Sequence, residues 1–272
     1  MLKNTRKYSV IAIIALMLIA SSCSKYQKLL KSTDNNLKLE KAIEYYYKND
    51  FSRAIGLFTD IIPAFRGTRN AEIINYYYAM AHYKQRDYEM ASHYFRTFNQ
   101  AFPQNEHAEE FLFLAAYCKY LVAPRSSLDQ TSTVEAIREF QIFVNRYPAS
   151  PRVEEANKLI DVLRQRQELK VYDLAMLYFN IGDFVAAATT FNVLIRDFPD
   201  TKFREEALFN ITRANFDFAQ QSIPEKQPER FAQVINAHNR LMRQFPQSRF
   251  KDQAERLRNN AQEQIDRLVQ SN

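Results

Sequence analysis

One spacing recurs along this chain and constrains its fold more than any other feature. An alanine is followed four residues later by phenylalanine, seven further on by another aromatic residue, and then by proline. In the stretch 71–103, AEIINYYYAMAHYKQRDYEMASHYFRTFNQAFP, the fixed points are Tyr88, Ala91, Phe95 and Phe102, with Pro103 as the stop. Spacings of three, four and seven place all four on one helical face. Small Ala91 lets a partner helix come close, and the aromatic rings fill the space around it. Pro103 has no N–H to donate and disfavours a helical residue before it, so the helix ends there. An earlier helical run, 71 to about 85, breaks at Arg86-Asp87. The stretch therefore predicts one antiparallel helix pair.

The same marks appear elsewhere. Phe51, Ala54, Phe58 and Phe65 precede it, with Arg66 in the proline place. Ala136, Phe140, Tyr147 and Pro148 follow, then Phe184, Ala187, Phe191, Phe198 and Pro199. A degraded copy reads Phe231, Val234, His238, Phe245 and Pro246. The period predicts an all-α chain, a right-handed superhelical solenoid of five tetratricopeptide-like helix pairs. A last amphipathic helix, Lys251 to about Val269, is expected to cap it. Three glycines in 272 residues are too few for a fold rich in tight turns, and long β-branched runs are absent outside the N-terminus.

Residues 1–23, MLKNTRKYSVIAIIALMLIASSC, have a basic start, an apolar run from Val10 to Ala20, small residues and a cysteine. The run is shorter than the roughly 20 apolar residues a spanning helix needs, and it fits a secretory signal. Ala20-Ser21-Ser22-Cys23 resembles the lipobox of bacterial lipoproteins, with alanine where leucine is preferred. Residues 1–22 are thus expected to be a removed signal peptide. Cys23 is expected to carry covalent lipid, which anchors the chain to a membrane. Ser24 follows in place of the aspartate that retains lipoproteins at the inner membrane, which favours the periplasmic face of the outer membrane. Removing Lys3, Arg6 and Lys7 lowers the formal charge of +6 by three, to +3. So small an excess, with no basic stripe, argues against a nucleic-acid partner.

The mature chain divides into a lipid-anchored tether at 23–36, repeats one to three at 37–148, and repeats four and five with the capping helix at 149–272. Pro63 is expected to kink the end of repeat one. Val122 to Thr133, VAPRSSLDQTST, reads as a loop inserted in repeat three, with Thr133 as a candidate cap for the next helix. Pro151 opens a charged helix that can run unbroken to Asn180, and Gly182-Asp183 makes the turn after it.

No pattern for chemistry emerges. The histidines at 82, 93, 107 and 238 form no metal-binding spacing, and no phosphate-binding, dinucleotide or nucleophile-elbow motif is present. Once Cys23 is acylated, Cys118 has no disulfide partner. It sits in an apolar helical run and reads as a small buried hydrophobe. No cofactor and no enzymatic activity are expected. The informative excess is tyrosine, 16 in all, with triplets at 45–47 and 76–78. Aligned from Ala91, the first helices present Leu39, Ile43, Tyr46 and Tyr47 in repeat one. Repeat two presents Ile73, Tyr76, Met80, Tyr83 and Lys84, and repeat three Phe113, Tyr117 and Tyr120. Ring by ring, packing between repeats explains these side chains better. As a set they suit a peptide-binding groove, with Tyr46, Tyr76, Tyr83 and Tyr117 as candidate contacts.

With the lipobox and five repeats in place, the chain resembles the BamD family, tetratricopeptide lipoproteins of the outer-membrane β-barrel assembly machinery. LEKAIEYYYKNDFSRAIGLF (39–58), the loop inserted in repeat three, and YDLAMLYFNIGDFVAAATTFNVLIRDFPDT (172–201) carry the resemblance. Gly56 and the proline-less end of repeat one depart from the consensus. The resemblance implies a non-enzymatic scaffold that docks on a BamA-like subunit, joins other members of the assembly complex and receives unfolded outer-membrane proteins. It also implies that repeats four and five face the BamA-like partner, with Arg164, Arg166, Glu168 and Lys170 as the candidate surface. Two alternatives are a different periplasmic adaptor lipoprotein, such as a pilotin or cell-wall-associated protein, and an enzyme with an undetected site.

Overall fold

The computed structural model describes residues 25–270; residues 1–22, read as a signal peptide, and Cys23 lie outside them. Residues 25–30 form a short helix, α1. Five helix pairs follow: α2 (Asn35–Tyr47) with α3 (Phe51–Ile61), α4 (Asn70–Lys84) with α5 (Tyr88–Ala101), α6 (Ala108–Val122) with α7 (Thr131–Arg146), α8 (Val153–Asn180) with α9 (Phe184–Asp197), and α10 (Arg204–Gln220) with α11 (Gln227–Gln244). Helix α12 (Lys251–Gln270) comes last. Among the described residues there is no strand, and the consecutive pairing is that of tetratricopeptide-like repeats.

The signature residues are the core. Ala54, Ala91, Ala136 and Ala187 are fully buried, as are Phe58, Phe95, Phe140 and Phe191. Each alanine lets a neighbouring helix approach, and each ring one turn on fills the gap. The aromatic-proline stops work as backbone chemistry requires. Phe102, Phe198 and Phe245 leave helical geometry at φ −130°, −126° and −133°. Each still donates its N–H to the carbonyl four residues back, at 2.8, 2.9 and 2.8 Å. Repeat one has no such proline after Phe65. There Pro63 tightens the helix end into a 3-10 turn over Ile62–Phe65, and Gly67 at φ +74° reverses the chain.

Three turns inside repeats share one device. A residue in the left-handed region precedes an aspartate that caps the next helix: Asn49-Asp50, Arg86-Asp87 and Gly182-Asp183, with φ of 58°, 65° and 84° at the first residue. The aspartates accept from the N–H groups of Arg53, Met90 and Ala186.

Two compact bodies make up the chain. The first holds residues up to Ala123 with Thr131–Ile160, the second Pro124–Gln130 with the remainder from Asp161. Within the first, Tyr26, Leu29 and Leu30 of α1 pack against the core of α2, α3 and α4. The stretch read as tether is therefore docked from residue 25 onward. Tyr26 donates from its hydroxyl to the Arg53 carbonyl (3.2 Å) and meets the Tyr45 ring edge-on at 5.8 Å. A Cβ on Gly56 would stand 2.3 Å from the Tyr26 hydroxyl, so the departure from consensus at Gly56 makes room for this arm. Within the second body, Ala175 of α8, Phe191 and Leu194 of α9, Leu208 of α10, Leu241 of α11 and Ala254 of α12 share one core. Ala261 and Ile265 extend the capping helix over Phe216 and Phe231.

Three local expectations are corrected. Helix α7 begins at Thr131, so Thr133 lies buried in its first turn and does not occupy the cap position. The preceding loop is tied instead by Gln130, whose amide donates to the carbonyls of Arg125 and Leu128. Helix α8 starts at Val153, after turn residues 151–152. Phe113, placed in the groove by alignment, is 1% exposed. Its ring meets Phe140 and Phe143 of α7 at 5.8 and 5.4 Å, and the Arg152 guanidinium lies 4.4 Å from its centroid.

Candidate functional site

The tyrosine triplets build the site because adjacent helical positions diverge by about 100°. In α4, Tyr78 turns inward, and its hydroxyl lies 3.1 Å from that of Thr59 and 3.3 Å from that of Tyr94. Tyr77 stacks on Phe58 at 6.4 Å and reaches Tyr46 and Tyr47 of α2 at 5.0 and 5.9 Å. The hydroxyls of Tyr47 and Tyr77 are 2.8 Å apart, although Tyr47 is 69% exposed. Tyr76 meets Tyr77 at 5.2 Å and lies against His107 and Phe111 at 4.7 and 5.2 Å.

The ring contacts continue from Phe111 to Phe95 (4.6 Å), from Phe95 to Tyr83 (5.8 Å), and from Tyr83 to Tyr88 (5.9 Å). Tyr46, Tyr76 and Tyr83 thus belong to one connected aromatic ribbon, joined through Tyr77, Phe111 and Phe95. Tyr117 stands on a separate stack with Phe113 (6.1 Å) and Tyr120 (5.8 Å). Burial raises the phenol pKa of Tyr46, Tyr76 and Tyr83. Burial, with the hydrogen bond to Tyr47, pushes Tyr77 up to about 12. All four are neutral at physiological pH, and their hydroxyls serve as hydrogen-bonding groups rather than charges.

Beside the ribbon lies an open cleft of about 390 Å³, walled by Ile73, Tyr76, Tyr77 and Phe98 and rimmed by Glu72, Glu106 and His107. Asn105 donates to Glu72 at 2.9 Å and fixes one edge. Sequence reasoning found Tyr76 and Ile73 here but missed His107, Phe98 and the rim acids. Phe98 sits on α5, Glu106 and His107 in the turn after it, and Glu72 in the first turn of α4, and the alignment assigned none of these to the groove. Tyr77 was not assigned to the groove either, although it belongs to the tyrosine triplet at 76–78.

Two buried ionisable groups in the first body are held in ion pairs. Buried Glu139 pairs with Arg96, and buried Lys38 with Asp60. Cys118 is fully buried, and burial pushes its thiol up to about 12, which leaves it unreactive as a thiolate at neutral pH. Among the described residues no three His, Cys, Asp or Glu side chains are placed to hold a metal. No described helix is long and apolar enough to cross a membrane. The charged run on α8 is not uniformly solvated: Arg164 is exposed, Glu168 is buried, and Lys170 donates to the Leu128 carbonyl at 2.8 Å.

A profile of the YfiO family, described as an outer membrane lipoprotein, matches residues 32–229. The chain belongs to this YfiO/BamD family. The match spans all residues of the aromatic ribbon and cleft and stops within α11. Three similar proteins bear matching names. The outer membrane protein assembly factor BamD of Haemophilus influenzae is 22% identical over 219 residues, covering 77% of this chain and 84% of that protein. The putative outer membrane protein assembly factor BamD of Aquifex aeolicus is 26% identical over 199 residues, 72% of this chain and 65% of that protein. The outer membrane protein assembly factor BamD of Pasteurella multocida is 22% identical over 225 residues, 76% and 82% of the two chains.

Proposed function

We propose that this chain is a non-enzymatic assembly factor for outer-membrane β-barrel proteins. It is held by lipid on Cys23 at the periplasmic face, docks on a BamA-like subunit and receives unfolded barrel chains. Membership of a family of outer membrane lipoproteins supports the location, and relatives named as assembly factors support the general role. The observation that carries the substrate reading is the aromatic cleft of α4 with its ribbon of tyrosines.

Barrel strands alternate apolar and polar residues and carry aromatic girdles. An extended terminal strand offers apolar side chains every second residue, a girdle ring among them, and backbone groups without partners. A ring entering between Ile73, Tyr76, Tyr77 and Phe98 loses apolar surface to solvent, while tyrosine hydroxyls satisfy the exposed backbone. Glu72 and Glu106 oppose a free carboxylate at the cleft, so the group recognised is the ring rather than the chain terminus.

The test is titration of a barrel C-terminal peptide into the protein and into a variant with Tyr46, Tyr76, Tyr83 and Tyr117 replaced by Ala, with helicity checked by circular dichroism. The folded variant is expected to lose at least about tenfold in affinity, which corresponds to roughly 1.4 kcal/mol. The amidated peptide should bind at least as well as the free acid, and salt should have a small effect. A folded variant with undiminished affinity leaves a scaffold that binds only its complex partners.

A further inference from the structure

The second body contains a feature that the aromatic cleft does not use. Glu168 of α8 is 8% exposed, and its Oε1 is buried without a hydrogen-bond partner. Buried carboxylate oxygens are almost always satisfied, because stripping water from the charge is costly. Glu168 lines a recess of about 280 Å³ between α8 and the turn after α9. Asp161, Arg164, Phe198, Asp200 and Thr201 line it as well. Three carboxylates face one guanidinium there, so the recess carries a net charge of −2 when all four are ionised.

Its far wall is fixed. The Thr201 N–H donates to the Phe198 carbonyl at 3.1 Å, the Thr201 hydroxyl accepts from the Phe203 N–H at 3.1 Å, and Arg204 donates to the Pro199 carbonyl at 2.7 Å. The recess thus combines a rigid rim, an aromatic wall at Phe198, the exposed acids Asp161 and Asp200, and in its lining Glu168, whose Oε1 is unsatisfied.

We propose that this recess receives an arginine side chain of a partner protein. The complementary ligand must be cationic, because the recess is acidic. It must supply a donor that Glu168 Oε1 lacks. A planar guanidinium meets both demands and can also lie against the Phe198 ring, whereas an ammonium supplies a point charge without the flat face. Arg164 is the resident competitor: it stands one helical turn before Glu168, yet the Glu168 oxygen remains without a donor. The site is independent of the substrate cleft, since Asp161, Glu168 and Phe198–Thr201 all belong to the second body.

The probe is N-acetyl-arginine methylamide, titrated into the full-length, detergent-solubilised protein and followed by amide chemical shifts at Gln165 and Thr201. The citrulline and lysine analogues serve as controls. Saturable binding in the millimolar range is expected for arginine, weaker binding for lysine, and at least about tenfold weaker binding for citrulline, which keeps the shape and loses the charge. Glu168→Gln should weaken the arginine interaction at least about tenfold while the melting temperature holds or rises, because it removes a buried charge. Asp200→Asn, at an exposed position, should weaken it severalfold without touching the core. Equal binding of citrulline, or undiminished arginine binding by both variants, overturns the proposal.

Discussion

At the scale of single residues, Gly56 and Tyr26 show how a departure from the repeat consensus is used. Glycine inside a helix costs about 1 kcal/mol relative to alanine. Here it leaves space for the Tyr26 hydroxyl, which bonds the Arg53 carbonyl while the Arg53 guanidinium lies 5.7 Å from the Tyr26 ring. Gly56→Ala gains helix propensity and loses this docking, so the two effects offset and global stability should move by less than about 1 kcal/mol. The arm itself should come loose. Limited proteolysis within residues 25–33 should quicken by about tenfold, the factor that about 1.4 kcal/mol of local opening produces. In a Tyr26→Ala background the same substitution should stabilise by about 1 kcal/mol, because nothing then opposes the propensity gain. Unchanged cleavage in Gly56→Ala would show that α1 does not depend on that space.

At the scale of elements, the aspartate caps are alike in sequence and unequal in consequence. Asp50 caps α3 and also pairs with Arg53 at 2.9 Å, both groups about one-third exposed. Asp87 caps α5 and accepts from Nδ1 of His82 at 3.0 Å, which places the His82 proton on that nitrogen. His82 is buried among Tyr78 and Tyr94, and its Nε2 already lacks a partner. Asp50→Ala should cost about 1 kcal/mol, the usual value of a lost cap. Asp87→Ala should cost about 2–3 kcal/mol, since it removes a cap and leaves a buried imidazole N–H unpaired. Urea denaturation of the two variants checks the difference, and equal costs would mean that the histidine contributes nothing.

At the scale of the whole molecule, anchoring and assembly are separate terms. Cys23 lies outside the described residues, and the docked arm begins two residues beyond it. If lipid on Cys23 is the main anchor, Cys23→Ala should abolish palmitate labelling and move the protein out of the outer-membrane fraction. Three acyl chains hold firmly where one is marginal. Retention of Cys23→Ala in that fraction after a high-salt wash would show that protein partners hold it there.

The helix pairs, their number, their stops and their buried seams can be read directly along the chain. Those depend on contacts three, four and seven residues apart, and on what proline and aspartate do to adjacent backbone groups, all of which are local. Which rings remain at a surface depends on the helices packed beside them. Phe113 and Tyr117 sit one helical turn apart, yet Phe140 and Phe143 of α7 close over the first alone. Tyr76 gained its wall from His107, which lies 31 positions away and comes against its ring because the turn after α5 returns it to α4. Periodicity names the face a side chain points to. The neighbouring helix, set by packing across many residues, decides whether that face is core or cleft.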